Sequence, residues 1–335
     1  LFHGPTLAFK DVGARFMSRC LGYFLKNETR KVTVLVATSG DTGGAVANGF
    51  YDVEGIEVVI LYPKNRVSPV QEKQLTALGK NIHALEVNGS FDDCQALVKQ
   101  AFSDESLNEK LLLTSANSIN VARWLPQQIY YVLALKQWLK NNSENPVICV
   151  PSGNFGNICA GILAHHRGLP VEHFIAACNV NDVVPEYLRT EILQPKETVA
   201  TISNAMDVGD PSNFVRILEL FDKEFNQVKS KLSGYTIDDE ETLKTIERVE
   251  KDYGYVLDPH GAVAFVALEK YLAENGGKGF FLETAHPVKF PDSVEKATGK
   301  SVEIPKSLEE LMRQEKFTTE INPQYEELKE FLLKK

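Results

Sequence analysis

The sequence VICVPSGNFGN at residues 147–157 joins a short apolar run to a polar loop with two glycines three residues apart. An amphipathic run follows at 158–166, so the segment has the order strand, loop, helix. The glycines permit close backbone approach, and N–H groups at a helix start can converge on a phosphate. The segment therefore predicts an anion-binding loop at Gly153, Asn154, Phe155, Gly156 and Asn157.

The same alternation recurs along the chain. Predicted strands are the apolar runs Val32–Ala37, 58–62, Ile82–Val87, 111–114, 147–150, 174–177 and 279–282. Predicted helices are the amphipathic stretches 45–53, 69–78, 91–102, 121–139, 158–166 and 262–272. Such alternation predicts a mainly parallel α/β sheet with right-handed crossovers, whose ligands bind at the carboxyl ends of the strands.

The remainder of the chain is mainly helical and charged. This pattern begins at residue 212, and the stretch 307–335 predicts surface helices. The acidic run at 238–241 is most simply a helix start, because negative charge complements the helix dipole there.

Length and charge limit the function classes. The 335 residues suggest about two domains, at roughly 150 residues per domain. A formal net charge of −9 disfavours nucleic acid and anionic membranes as partners, so an anionic ligand needs a local cluster of positive groups. No apolar run approaches the ~18 residues that span a bilayer, which predicts a soluble protein.

The five cysteines lie far apart, with neither Cys-x-x-Cys nor zinc-ligand spacing. This usage predicts reduced thiols, a cytoplasmic location and no metal site. The first residue is Leu1, and no signal peptide or transit peptide follows it. We therefore expect the chain to begin within a larger protein.

Lys10 follows a predicted turn at His3-Gly4-Pro5 and opens a helical stripe of apolar residues. The positive end of the helix dipole and apolar neighbours both favour a neutral amine, which can form a Schiff base. On this segment alone, a surface lysine that starts a helix is the more common alternative.

A second polar loop, SGDTGG at 39–44, lies between a predicted strand and a helix. It can bind a carboxylate or phosphate, or it can be a capped tight turn, and the two interpretations are evenly matched. Neither loop has the Walker, dinucleotide-binding or serine-hydrolase pattern.

Two further clusters are weaker signals. Asn117 and Ser118 lead towards Arg123, whose guanidinium fits phosphate oxygens, although helix capping and a surface ion pair explain the same residues. Thr284 and His286 follow a predicted strand, where ligands are expected. The other histidines outside the predicted turn are interpreted as structural, and these are His83, His165, His166, His173 and His260.

Together these segments resemble threonine synthases of the bacterial and fungal subgroup. The matching sequences are LFHGPTLAFKD at 1–11, ATSGDTG at 37–43, NSIN at 117–120, PSGNFGN at 151–157, and TAHP at 284–287 followed by Lys289-Phe290. They run in order from residue 1 to about residue 290. Five motifs in register are far more specific than any one of them.

The resemblance implies a fold-type II pyridoxal 5'-phosphate enzyme, with two parallel-sheet α/β domains and the cofactor in the cleft between them. It implies a large cofactor-binding domain at 1–31 and 127–335, whose N-terminal part is missing, and a small α/β domain at 32–126. Family members carry a substantial segment before the lysine motif, and we interpret its absence here as truncation and not as a different architecture.

The resemblance also implies residue roles. Lys10 is the catalytic residue and holds the cofactor as a Schiff base. The other cofactor-binding residues are Asp41, Gly153, Asn154, Phe155, Gly156, Asn157 and Thr284. The substrate-binding residues are Ser39, Gly40, Thr42, Asn117, Ser118 and Arg123. Thr284 faces the pyridine nitrogen, where a hydroxyl suits elimination better than transamination.

The implied reaction converts O-phospho-L-homoserine and water to L-threonine and phosphate. Lys10 takes the α-proton and a β-proton, Arg123 and neighbouring donors stabilise the departing phosphate, and water adds at the β-carbon. Two alternatives stay open: a phospho-lyase of the same fold that yields 2-oxobutanoate, and a non-catalytic scaffold that keeps the fold. The oligomeric state does not follow from the sequence.

Overall fold

The computed structural model describes residues 1–26, 28 and 30–334, which form two compact units. The N-terminal unit comprises His3–Arg123 and Ile304–Lys335. The middle unit comprises Leu1–Phe2 and Trp124–Glu303. Each unit is built on its own parallel sheet.

The elements follow in chain order. The strands are β1 (Val32–Ala37), β2 (Ile56–Pro63), β3 (Ile82–Val87), β4 (Leu112–Ser115), β5 (Val147–Pro151), β6 (His173–Cys178), β7 (Leu232–Thr236), β8 (Gly279–Phe281) and β9 (Thr319–Ile321). The helices are α1 (Lys10–Phe24), α2 (Asp41–Phe50), α3 (Pro69–Thr76), α4 (Phe91–Ser103), α5 (Glu105–Asn108), α6 (Val121–Trp124), α7 (Gln128–Trp138), α8 (Gly156–His166), α9 (Val183–Thr190), α10 (Phe214–Leu220), α11 (Phe225–Lys231), α12 (Asp239–Tyr253), α13 (Pro259–Asn275), α14 (Pro291–Thr298), α15 (Lys306–Arg313) and α16 (Tyr325–Leu333).

The N-terminal unit contains a parallel sheet of order β4-β1-β2-β3-β9. Successive side chains of β1 point to opposite faces of this sheet. Val34 and Val36 enter one apolar core with α2, whereas Leu35 and Ala37 enter a second core that includes residues of α4 and α16. Because both faces are covered, all six residues of the strand are buried, and all but Thr33 are apolar.

The middle unit contains a second parallel sheet, of order β7-β6-β5-β8. Cys149 and Ile175 of its central strands pack into one core with Val263 and Ala267 of α13. The apolar face of α13 therefore covers one side of this sheet.

All seven predicted strands are confirmed, and both sheets are parallel as expected. The predicted helix at 45–53 begins earlier and ends at Phe50, and the predicted stretch 121–139 is divided by a 3-10 turn at Leu125–Gln127. The acidic run does begin a helix, with Asp238 as the N-cap of α12. The apolar stripe of α1 is only partly buried, since Val12 and Phe16 are exposed.

The C-terminal segment differs from the predicted surface helices. Leu328 and Leu332 of α16 are buried in the core beside α4, and β9 pairs with β3. This packing is why Ile304–Lys335 lies in the N-terminal unit. The segment before β1 lies there too, with Gly49 of α2 directly beside the Ala14 backbone of α1.

The strand orders place one topological switch point in each sheet. In the N-terminal unit, the chain continues from β1 to β2 on one side, and β4 lies on the other side of β1. In the middle unit, the chain continues from β5 to β6 on one side, and β8 lies on the other side of β5. Ligands of parallel α/β sheets bind at the carboxyl ends of strands beside such a point. The polar loops predicted from the sequence follow β1, β4, β5 and β8. Within the described residues, no helix combines the length and apolarity needed to cross a membrane.

Candidate active site

The turn before Lys10 is fixed by a buried carboxylate. Leu7 N–H donates to the Gly4 carbonyl at 3.1 Å and closes the turn. Asp11, which is 4% exposed, accepts hydrogen bonds from Thr6 N (3.0 Å) and Thr6 Oγ1 (2.5 Å). A β-carbon on Gly4 would collide with the Asp11 carboxylate. The chain therefore wraps tightly around Asp11 immediately before the helix.

Lys10 is the first residue of α1 and is half-buried. Its Nζ lies 5.7 Å from the centre of the Phe9 ring. One turn later, Gly13 packs against the carbonyl oxygen of Arg123, where no side chain would fit. The start of α1 is thus anchored beside the polypeptide that follows β4.

The loop after β1 is closed by a threonine hydroxyl. Thr38 Oγ1 accepts hydrogen bonds from the N–H groups of Gly40 and Gly43, both at 2.9 Å. Gly40 has φ +135°, and a β-carbon there would lie 2.5 Å from the Gln71 side chain. Glycine is therefore required at this position by both backbone conformation and space.

The loop after β4 is tied to the end of β1. The Asn117 side chain accepts from Ala37 N at 3.3 Å and donates to Ala37 O at 2.8 Å. Arg123 is 2% exposed, and its guanidinium donates to the Ala116 carbonyl. The amide thus ties the loop after β4 to the end of β1, and the guanidinium joins the two ends of the loop after β4.

Two glutamines of α3 reach the lysine turn and the loop after β1. Gln71 Nε2 donates to Asp41 Oδ1 at 2.9 Å, and Gln74 Nε2 donates to Thr6 O at 3.0 Å. Asp41 is itself 4% exposed. One helix therefore braces both segments. Neither glutamine is predicted as a site residue from the sequence, although Ser68-x-x-Gln71 has the pattern of a capping box, which it forms at the start of α3.

In the middle unit, the loop after β5 ends at the start of α8. Phe155 has φ +61° and α8 begins at Gly156, so the first N–H groups of this helix lack intrahelical acceptors. Asn157 Oδ1 accepts from Tyr131 Oη at 2.8 Å. Asn157 Nδ2 is buried and has no hydrogen-bond partner among the described residues. The helix start therefore combines N–H groups that lack intrahelical acceptors with a buried amide that has no acceptor among the residues described.

The same loop is held from the side. A β-carbon on Gly153 would lie 2.5 Å from Met206 Cα, so two backbones touch there. Asn154 Oδ1 accepts from Ser212 N at 2.7 Å, and Asn213 Nδ2 donates to Asn154 O at 2.9 Å. The side chain of Asn154 therefore helps to hold the loop in place.

Thr284 follows β8, the neighbour of β5, and is 5% exposed. The preceding residue is Glu283. Burial, together with the nearby negative charge of Asp258, raises the pKa of the Glu283 carboxyl well above its usual value. Burial and this neighbouring charge thus favour the protonated form of the carboxyl beside the predicted site residue.

The structure gathers the predicted residues in two groups. The N-terminal unit holds Lys10, Ser39, Gly40, Asp41, Thr42, Asn117, Ser118 and Arg123. The middle unit holds Gly153, Asn154, Phe155, Gly156, Asn157 and Thr284. Within each unit, the predicted loops lie at the carboxyl ends of adjacent strands. Their roles towards cofactor and substrate stay predictions.

Comparison with known proteins gives consistent matches. The chain matches the pyridoxal-phosphate dependent enzyme family over residues 1–280 and the threonine synthase C-terminal family over residues 261–332. It is 51% identical over 310 residues to a threonine synthase of Escherichia coli, which covers 92% of this chain and 71% of that protein.

Solved structures agree with these matches. The crystal structure of threonine synthase from Escherichia coli matches with a TM-score of 0.92 and 47% identity, over 100% of this chain and 77% of that chain. The structure of pyridoxal-phosphate-bound threonine synthase from Brucella melitensis matches with a TM-score of 0.91 and 37% identity, over 99% of this chain and 76% of that chain.

Proposed function

This chain belongs to the threonine synthase family of fold-type II pyridoxal-phosphate enzymes, and we propose that the residues described above carry out that family's reaction. The reaction converts O-phospho-L-homoserine and water to L-threonine and phosphate. The family resemblance predicted from the sequence motifs is thereby confirmed. The residue assignments that follow are our proposal.

The loop after β5 fits the phosphate group of the cofactor. An oxyanion needs several donors, and this loop supplies the first N–H groups of α8 and the buried Nδ2 of Asn157, which has no acceptor within residues 1–26, 28 and 30–334. The close backbone contact at Gly153 leaves no room for a side chain that would displace the loop. We assign phosphate binding to residues 153–157 and place the Thr284 hydroxyl at the pyridine nitrogen.

Lys10 is the group that we assign to hold the cofactor and to move protons. The turn around Asp11 and the contact of Gly13 with Arg123 fix the start of α1, so the position of the lysine is defined before any ligand binds. When bound, pyridoxal phosphate supplies an electron sink for negative charge at the substrate carbons. Lys10 Nζ then takes a proton from Cα and later one from Cβ, and it returns one proton to Cγ, from which the phosphate has left, and one to Cα. The proton that the added water gives up goes to the released phosphate.

The substrate is assigned to the loops after β1 and β4. Ser39, Gly40 and Thr42 bind its carboxylate, and Asp41, held by Gln71, faces the cofactor. Asn117, Ser118 and Arg123 form the phosphate side of the site. The guanidinium supplies the local positive charge that an anionic substrate requires in a chain of net charge −9. Its charge stabilises the leaving phosphate, after which a water oxygen adds at Cβ.

The observation that carries the proposal is the placement of all predicted loops at the two switch points. Loops after β1 and β4 meet through Asn117 and Ala37, and those after β5 and β8 follow paired strands. These are the positions where parallel α/β sheets bind ligands. The domain division predicted from the sequence, 1–31 with 127–335 and 32–126, differs from the two compact units, which join His3–Arg123 with Ile304–Lys335. We also propose a cytoplasmic location, which stays a prediction.

Product analysis tests the function. The chain, with pyridoxal phosphate, is incubated with O-phospho-L-homoserine in ¹⁸O-labelled water, and phosphate, threonine and 2-oxobutanoate are measured. We expect equal amounts of phosphate and threonine, with one ¹⁸O atom in each threonine. Lys10→Ala should form neither product, while the exposed Lys26→Ala control should match the unchanged chain. Phosphate release with 2-oxobutanoate would identify a phospho-lyase, and no turnover would support a scaffold.

A further inference from the structure

A buried carboxylate and a buried histidine lie together at the start of α13. Asp258 is the N-cap of this helix and is fully buried. Its carboxylate accepts from the N–H groups of His260 (2.8 Å) and Gly261 (3.3 Å). The same carboxylate lies 2.5 Å from His260 Nδ1, so Asp258 fixes the orientation of the imidazole ring.

The second nitrogen of this ring binds the backbone of another segment. Ala205 N–H donates to His260 Nε2 at 3.2 Å. A backbone amide can only donate, so Nε2 carries the lone pair, and the ring proton lies on Nδ1, directed at Asp258. The imidazole is 3% exposed and thus links a carboxylate to the Ala205 amide without solvent in between.

Ala205 belongs to the 3-10 turn Asn204–Met206, which lies directly against the loop after β5. A β-carbon on Gly153 would lie 2.5 Å from Met206 Cα and 3.1 Å from Ala205 O. No side chain separates the two backbones. A displacement of this turn would therefore displace Gly153, which begins the loop assigned to the cofactor phosphate.

We propose that His260, oriented by Asp258, is a positioning residue that holds the turn Asn204–Met206 against Gly153 and thereby sets the phosphate affinity of the loop 153–157. The inference rests on the proposed function, because it takes this loop to bind the cofactor phosphate. It assigns His260 a role beyond packing, which the ring exerts through the backbone of Ala205.

Two substitutions distinguish the contributions of the two ring nitrogens of His260. In His260→Asn, the amide nitrogen can still donate to Asp258, but the side chain is too short to accept from Ala205. In His260→Gln, the longer side chain places an acceptor oxygen where Nε2 lies. The apo forms of both variants and of the unchanged chain are titrated with pyridoxal phosphate and with pyridoxal, which lacks the phosphate, and bound ligand is measured by absorbance.

We expect His260→Asn to weaken pyridoxal phosphate binding about 10-fold, as for a buried amide that loses its acceptor, and His260→Gln to weaken it less than about 3-fold. Pyridoxal binding should stay within about 2-fold in both variants. Equal losses for the two ligands, or equal losses in the two variants, would overturn the inference.

The unchanged chain and Gly153→Ala test the underlying assignment separately. If the unchanged chain binds both ligands equally, or if Gly153→Ala leaves pyridoxal phosphate affinity intact, the phosphate assignment of the proposed function fails. If His260→Asn does not fold, hydrogen exchange decides in the unchanged chain. The segment 203–207 should exchange more slowly with pyridoxal phosphate than with pyridoxal, and equal protection would overturn the inference.

Discussion

At the scale of single residues, the sequence indicates which chemical groups are present, but not which partners they find. Lys10, Arg123 and the loop 153–157 could be named from motifs alone. The partners of Asp11, Gln74 and His260 are distant in sequence or depend on the folded turn, so no local pattern predicts them. His260 was interpreted as structural because a lone histidine carries no signal of its own; its contacts with Asp258 and Ala205 appear only in the fold.

The assignment of Arg123 to the substrate phosphate can be tested directly by substitution. Its guanidinium is buried and donates to the Ala116 carbonyl, so Arg123→Ala removes both a brace and a positive charge. We expect kcat/KM for O-phospho-L-homoserine to fall about 100-fold, as for loss of charge-assisted hydrogen bonds, while pyridoxal phosphate affinity changes less than about 3-fold. Arg19→Ala, an exposed arginine on α1, is the matched control. Equal losses in both quantities would refute the assignment.

At the scale of elements, apolar strands followed by amphipathic helices were predictable from the sequence. The apolar residues of each element recur with the spacing that its buried face requires. β7 and β9 were missed for physical reasons. β7 has the sequence LSGYT, in which only Leu232 is fully buried, and Gly234 lies against Pro185. β9 has three residues at the edge of its sheet, and two of them are exposed. Neither has the period of a buried strand.

Helix α3 supports a prediction at this scale. Its two glutamines bind different segments, so each substitution should loosen only one of them. Gln74→Leu should speed hydrogen exchange in residues 4–11, and Gln71→Leu should speed it in residues 38–44. The free energy of unfolding should change by only about 1 kcal/mol in Gln74→Leu, because the buried Gln74 Oε1 has no hydrogen-bond partner in the part of the chain that the structure describes, and leucine removes it.

The two variants serve as controls for each other, with exchange measured by mass spectrometry on the same peptides. Faster exchange of both segments in both variants would show that α3 acts through general stability. Unchanged exchange in both would show that the glutamines do not brace the loops.

At the scale of the whole molecule, buried titratable groups make stability depend on pH. Burial, and to a smaller degree the charge of Lys231, lowers the pKa of His173 to about 4. The unfolded chain takes up a proton near pH 6.5, whereas the folded chain resists it down to about pH 4. His173 therefore leaves the fold fully stable above pH 6.5, and stability is lost as pH falls between these values.

The size of this effect is measurable by denaturant unfolding. Between pH 7 and pH 5, His173 should account for a loss of about 2 kcal/mol in the free energy of unfolding. His173→Asn does not titrate, so its stability should fall by that much less over the same interval, and the two curves should converge. Parallel curves would show that the buried His173 does not resist protonation.

The proposed reaction depends most directly on which lysine holds the cofactor. The chain is loaded with pyridoxal phosphate, the linkage is reduced with borohydride, and the labelled peptide is identified by mass spectrometry. We predict a single label on Lys10, and no label at that peptide in Lys10→Ala. A label on another lysine, such as the fully buried Lys289, would contradict the account.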